Sequence, residues 1–156
     1  MSAGARSARE SAMRLLERRD YGRDELLARL VEKGFGEEEA AAAADRCVEL
    51  GFINDENYAA MVARHYAARG FGERRIREEL RRRRIPREHW DTALDAVPGD
   101  SDSAYRCLCS KMRGRAPEPD ELRRAAAAVQ RRGFGYQETR EAVERYRGEY
   151  ATQEEA

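Results

Sequence analysis

The sequence predicts an all-α chain of tandem three-helix repeats, about nine helices forming an elongated, curved helical-repeat domain. Two observations carry that prediction. Arg, Ala, Glu and Leu dominate the 156 residues while Pro occurs only 4 times and no β-branched run appears, so nearly every long segment favours helix over strand. The chain also repeats itself. Gly34-Phe35-Gly36, Gly70-Phe71-Gly72 and Gly133-Phe134-Gly135 interrupt helical sequence, and Ile85 stands 50 residues after Phe35 and 49 before Phe134. Self-similarity at that period indicates stacked modules, none of which buries its apolar face alone, and it points to an extended binding surface in preference to a catalytic cleft.

The first module covers residues 8–51. Met13, Leu15 and Leu16 make an apolar stripe, Asp20-Tyr21-Gly22 breaks it, and Leu26, Leu27, Leu30 and Val31 restore helical spacing. Gly34 ends this second helix, because glycine takes the left-handed conformation that follows a helix end, and Phe35 is expected to fold back over the last turn. Gly36 then opens a third helix whose Glu37, Glu38 and Glu39 suit the positive end of the helix dipole.

The second module covers residues 54–98. Asn54 or Asp55 accepts from the free amides of the next helix, and Tyr58, Met61, Val62 and Tyr66 supply its stripe. Ile76 and Leu80 repeat Leu26 and Leu30 at an offset of 50, Ile85 takes the place of Phe35, and Pro86 starts a helix burying Trp90, Ala93, Leu94 and Val97. Pro98-Gly99-Asp100 reads as a turn. The third module covers residues 102–148: Tyr105, Leu108 and Met112, a longer turn from Gly114 to Pro119, an alanine-rich helix with Ala126 and Val129 inward, the Gly133-Phe134 stop, then Ala142, Val143 and Tyr146. Residues 149–156 are expected to fray.

Lys plus Arg and Asp plus Glu each number 30, so the net charge is zero and no whole-molecule attraction for a polyanion exists. The distribution is uneven. From Glu17 to Glu56 there are 6 basic and 12 acidic residues; from Arg69 to Arg87 there are 9 and 3. The basic group is concentrated in Arg74, Arg75, Arg77, Arg81, Arg82, Arg83 and Arg84, with Ile76 and Leu80 fixing the inward face so that most of the arginines point outward. A planar guanidinium donates two parallel hydrogen bonds to phosphate or carboxylate and stays charged. The pairs Arg74/Glu78, Arg75/Glu79, Glu78/Arg82 and Glu79/Arg83 fall at i,i+4, so a salt-bridged solvent face is the competing reading. Arg81, Arg83 and Arg84 have fewer local partners and stand out as contacts. A second candidate group is Arg106, Lys111, Arg113 and Arg115, followed by Arg123, Arg124, Arg131 and Arg132.

Tyr21, Phe71 and Tyr136 interleave with arginine as stacking aromatics do, but their recurrence at interhelix turns favours packing. Cys47, Cys107 and Cys109 are odd in number without Cys-x-x-Cys spacing and read as small apolar residues. His65 and His89 lack a carboxylate at ligand spacing. No phosphate loop, nucleophile elbow or paired-carboxylate motif is present, so the expectation is a non-enzyme without metal or cofactor. With no signal peptide and no membrane-length apolar stretch, the expected location is the cytoplasm, and a monomer is the expected form.

The junction Gly51-Phe52-Ile53-Asn54-Asp55 with Tyr58 resembles the signature of the RecX family of bacterial recombinase regulators. Leu15-Leu16-Glu17-Arg18-Arg19, Glu25-Leu26 to Leu30 with Gly34-Phe35, Arg69-Gly70 before Ile76 and Leu80, and Gln130-Arg131-Arg132-Gly133-Phe134 follow in that family's order. The likeness covers residues 8–146. It implies a cytoplasmic protein of three-helix repeats that binds the RecA recombinase, lodges in the groove of its filament on DNA, and limits ATP hydrolysis, strand exchange and co-protease activity. Direct contact with single-stranded or duplex DNA stays open, and an autonomous single-strand binder is the alternative. Gly22 stands where the family usually has Ser or Thr, and Asn54 where Asp is common; both still suit helix starts, at a cost of about 0.5 kcal/mol.

Overall fold

The computed structural model describes residues 6–98 and 102–156. Among these there are nine α-helices and no strand, as the composition predicts: α1 (Ala8–Arg18), α2 (Arg23–Glu32), α3 (Glu37–Glu49), α4 (Asp55–Ala68), α5 (Glu73–Arg82), α6 (Trp90–Asp95), α7 (Ser103–Met112), α8 (Pro119–Arg131) and α9 (Tyr136–Glu155), with a 3-10 turn at Arg87–His89 before α6. By backbone proximity the chain divides into two compact units, Met1–Val62 with Leu80–Asp95, and Ala63–Glu79 with Ala96–Ala156. This division passes through α4 and α5.

In the first unit α1, α2 and α3 pack on one another around Ala12, Leu15, Leu26, Leu30, Ala40, Ala44 and Ile53. Leu26 and Leu30 sit one helical turn apart, so a single face of α2 is buried; Val31, expected inside with them, lies one residue off that face and is exposed. Cys47 packs in this core, where burial pushes its thiol pKa up, in keeping with an apolar role. Trp90 and Ala93 are buried, and the Trp90 indole donates to the Ile85 carbonyl at 2.9 Å. The helix stops at Asp95, so Leu94 and Val97 are only half-buried. Gly99 and Asp100 of the expected turn lie outside the described residues.

In the second unit α7, α8 and α9 pack together around Leu108, Met112, Leu122, Ala125, Val129, Phe134, Ala142 and Tyr146. Ala125, three residues after Leu122 and four before Val129, is the inward alanine; Ala126, expected there, is half-buried. The last helix runs on to Glu155, where the sequence suggested fraying from Gly148. Arg145 accounts for part of that continuation by bridging Asp102 at 2.8 Å and, one turn on, Glu149 at 2.9 Å.

One helix stop is used again and again. After α2 the amide of Gly34 donates to the Val31 carbonyl (2.9 Å) and that of Phe35 to Leu30 (3.2 Å); Gly51 and Phe52 do the same to Val48 and Cys47, and Gly70 and Phe71 to Ala67 and Tyr66. This pair of bonds satisfies the carbonyls that a helix end leaves open, and it requires a left-handed residue at its first position. After α5 the same two bonds run from Arg84 to Arg81 (2.9 Å) and from Ile85 to Leu80 (3.1 Å), but the left-handed residue is Arg84, with φ of 57°. The apolar residue that follows is buried at Ile85 and Phe134 and half-buried at Phe35 and Phe71. Phe52 is 52 % exposed, and its neighbour Ile53 goes inside in its place.

Candidate partner-binding surface

α5 carries the densest charge in the molecule and begins on another element's backbone. The Gly72 amide donates to the Arg132 carbonyl at 2.8 Å and the Arg74 amide to that of Gly133 at 3.2 Å, at the stop that closes α8. A Cβ on Gly72 would lie 2.6 Å from Gly133 backbone atoms, so this position accepts glycine alone. The arginines of the first turns are tied down locally. Arg77 pairs with Glu73 at 2.9 Å, Arg75 with Glu78 at 3.6 Å, and the Arg74 guanidinium donates to the Gln130 carbonyl. The partners differ from the i,i+4 set expected for Arg74, Arg75 and Glu78, because Arg74 reaches α8 and leaves Glu78 to Arg75. Glu79 is buried and therefore does not belong to the solvent-facing ladder.

The last turn of α5 and its stop differ from one arginine to the next. Arg81 lies 5.8 Å from the Trp90 ring centroid. Arg83, expected to face a partner, instead turns inward and donates to the Tyr58 hydroxyl at 2.9 Å. That hydroxyl donates to Glu25 at 2.9 Å and accepts from Arg19 at 3.3 Å, so its one proton and both lone pairs are engaged. Burial, followed by the neighbouring Glu25 carboxylate, pushes the Tyr58 phenol above its ordinary pKa and keeps it protonated. Arg82 is exposed. Arg84 is exposed, and its guanidinium has no hydrogen-bond or ion-pair partner among the described residues.

The signature residues are structural in distinct ways. Gly22 caps α2 without a side chain, and the Asp55 carboxylate takes over, accepting the Arg23 amide at 2.9 Å from the start of α4. A Cβ at position 22 would stand 2.9 Å from that same carboxylate oxygen, so Gly22 and Asp55 fit as a pair. Asn54 caps its own helix by accepting the Asn57 amide at 3.0 Å. Tyr58 is the hub described above, Ile53 is core, and Gly51 holds φ of 81°.

In the second basic group, Arg115 closes the end of α7 by donating to the Met112 carbonyl (3.0 Å) and the Lys111 carbonyl (2.9 Å), and it also faces Glu121 at 3.4 Å. Arg113 adopts the left-handed conformation (φ 53°) and is exposed, as is Lys111. Of the three turn aromatics, Tyr21 is buried with Arg19 stacked 3.7 Å from its ring centroid, Phe71 is half-buried, and Tyr136 is 72 % exposed. No cluster of three metal-ligating side chains occurs among the described residues, and no helix in them is long and apolar enough to cross a membrane. The role of Tyr58 as the centre of a network carries no mark in the sequence beyond its place in the junction motif. Arg84 was named as a contact, while the sequence signal for its strain, its place just before Ile85 as Gly34 precedes Phe35, went unused.

These features define a class: an all-α protein built from three-helix domains. Residues 8–47 match the model of the first three-helix domain of RecX, and residues 54–94 match that of the second. The regulatory protein RecX of Vibrio campbellii is 33% identical over 138 residues, 87% of this chain and 89% of that one; its counterpart in Trichlorobacter lovleyi is 35% identical over 131 residues, 80% and 85%. The crystal structure of RecX from Lactobacillus salivarius superposes with a TM-score of 0.73 at 16% identity, covering 88% of this chain and 93% of that one. A second RecX crystal structure gives 0.70 at 19% identity, covering 84% of this chain and 67% of that one. The chain belongs to the RecX family.

Proposed function

We propose that this chain binds filaments of the RecA recombinase on DNA and restrains their ATP hydrolysis, strand exchange and co-protease activity, acting in the cytoplasm as a binding partner and not as an enzyme. The observation that carries this reading is likeness to RecX regulatory proteins over 80% or more of the chain. The uneven charge supports it, since a nucleoprotein filament offers both acidic and basic surface to complement. Arg81, Arg82 and Arg84 are the arginines proposed to meet the partner. Arg83 serves through Tyr58, while Arg74, Arg75 and Arg77 contribute what their local pairs leave exposed.

The test is co-sedimentation with RecA filaments on single-stranded DNA, together with the rate of ATP hydrolysis. Inhibition at less than one protein per RecA subunit is expected, and no effect at saturating protein rejects the reading. The double variant Arg81→Glu with Arg84→Glu is expected to weaken inhibition at least tenfold while melting at the same temperature as the parent.

A second reading, autonomous binding of single-stranded nucleic acid, is favoured by the arginine density of α5 and opposed by the zero net charge. It requires binding to a labelled strand that weakens steeply between about 50 and about 200 mM salt without RecA. A flat response leaves only the filament reading.

A further inference from the structure

A cluster of positive charge in the second unit lies away from α5. A cleft of about 260 Å³ is lined by Arg69 at the stop after α4, by Ser103, Arg106, Ser110 and Lys111 along α7, and by Arg132 at the end of α8. The four α7 residues recur at intervals of three, four and one, and so share one side of that helix. Among the described residues no aspartate or glutamate lines the cleft.

Elsewhere several arginines face a carboxylate, as at Arg23–Asp45 (2.8 Å), Arg46–Glu49 (3.0 Å), Arg124–Glu121 (3.1 Å) and Arg145–Asp102 (2.8 Å). Arg69, Lys111 and Arg132 have no ion pair among the described residues. Aromatic faces hold two of them: Arg132 lies 4.4 Å and Arg69 5.6 Å from the Phe71 ring centroid, and Arg69 lies 5.8 Å from that of Tyr66. A ring offers its π face to a guanidinium without accepting its in-plane N–H bonds, so these donors stay available while the side chain is fixed. The carbonyl ends of α4 and α8 make it easier to hold Arg69 and Arg132 there. They do not account for Arg106 and Lys111, which belong to the side of α7. Ser103 and Ser110 add hydroxyl donors, and Arg106 already reaches the Ser103 Oγ at 3.4 Å.

We propose that this cleft is a binding site for a phosphate group, carried either by a nucleic-acid backbone or by a free nucleotide. Several acceptor oxygens on one compact anion match convergent guanidinium, ammonium and hydroxyl donors, and an anion there relieves the mutual repulsion of Arg69, Lys111 and Arg132. The proposal does not depend on the recombinase as partner, and it uses none of the α5 arginines.

The experiment uses the full chain. Binding of a fluorescent oligo-dT strand is followed by anisotropy at several salt concentrations, and binding of inorganic pyrophosphate by calorimetry. Lys111→Glu and Arg106→Glu are each compared with Arg140→Glu, whose parent side chain pairs with Glu144 at 3.3 Å outside the cleft lining. Each cleft variant is expected to weaken the ligand about tenfold and, for the strand, to flatten the log–log salt dependence by about one; Arg140→Glu leaves both unchanged. Strand binding displaced by pyrophosphate identifies a backbone phosphate as the source, and pyrophosphate binding without strand binding identifies a free nucleotide. Cys107, half-buried in the cleft lining, supplies a readout that needs no cleft mutation: in a Cys109→Ala background, bound ligand is expected to slow its alkylation at least threefold. Absence of binding to both probes, or unchanged binding in both cleft variants, overturns the proposal.

Discussion

Gly34 and Arg84 stand at the same point of successive repeats and perform the same local task, yet one is the residue best suited to it and the other among the poorly suited. Each follows the second helix of its module, and each gives its amide to the carbonyl three residues back. Gly34 adopts φ of 104° and Gly133, at the stop after α8, the same value, while Arg84 is at 57°. Left-handed backbone costs an L-residue about 1 kcal/mol or more relative to glycine. The second module therefore retains a strained arginine where its neighbours are relaxed. The difference teaches that a helix stop can double as a mount: a left-handed residue with a long side chain projects a cation clear of the helix, and the unpartnered guanidinium of Arg84 is placed that way.

The largest expected effect tests what glycine does in the relaxed stops. Gly133→Ala meets both the left-handed φ and a contact of 2.6 Å between the new Cβ and the Cβ and amide nitrogen of Arg75, neither of which can swing away. A loss of about 3 kcal/mol or more is expected, read from urea unfolding. Tyr58→Phe comes next and tests Arg83, the neighbour of Arg84 in the chain. It removes the hydroxyl that joins Arg83, Arg19 and Glu25, and about 2 kcal/mol of stability is expected to go with it; a loss below about 0.5 kcal/mol would mean that Arg83 is not held as described.

Gly34→Ala isolates backbone strain, because nothing lies within 4 Å of the added Cβ. It is expected to cost about 1 kcal/mol, clearly less than Gly133→Ala. The smallest effect is the sharpest. Arg84→Gly relieves the strain but frees the unfolded chain, for a net gain of about 0.5 kcal/mol, and it is expected to weaken the RecA binding proposed above at the same time. A variant that is less stable, or that binds as before, breaks the comparison.

Much of the fold was legible because its punctuation is chemical. Gly34, Gly133 and Ile85 mark their stops through φ requirements and apolar plugs that any reader of a single chain can apply. Helix-face assignments failed by one residue, at Val31 and Ala126, where an alanine-rich or apolar run offers adjacent positions of nearly equal hydrophobicity. The surface was less legible than the scaffold. Arginine spacing along α5 predicted partners within the helix, but Arg74 and Arg83 chose groups 56 and 25 residues away, which no local rule encodes. The same holds for the basic cleft, since Arg69 and Arg132 carry no mark in sequence that brings them to α7.

Asp55 lends its carboxylate to a helix that began 32 residues earlier. On the ribosome, α1, α2 and α3 are complete before that carboxylate leaves the exit tunnel, so the nascent first module waits with the entrance to α2 unsealed. Its final stability arrives only when the next module does. Recombining modules between relatives would break this dependence unless positions 22 and 55 travelled together: a Ser or Thr at 22 brings its own acceptor, and the glycine found here needs the aspartate.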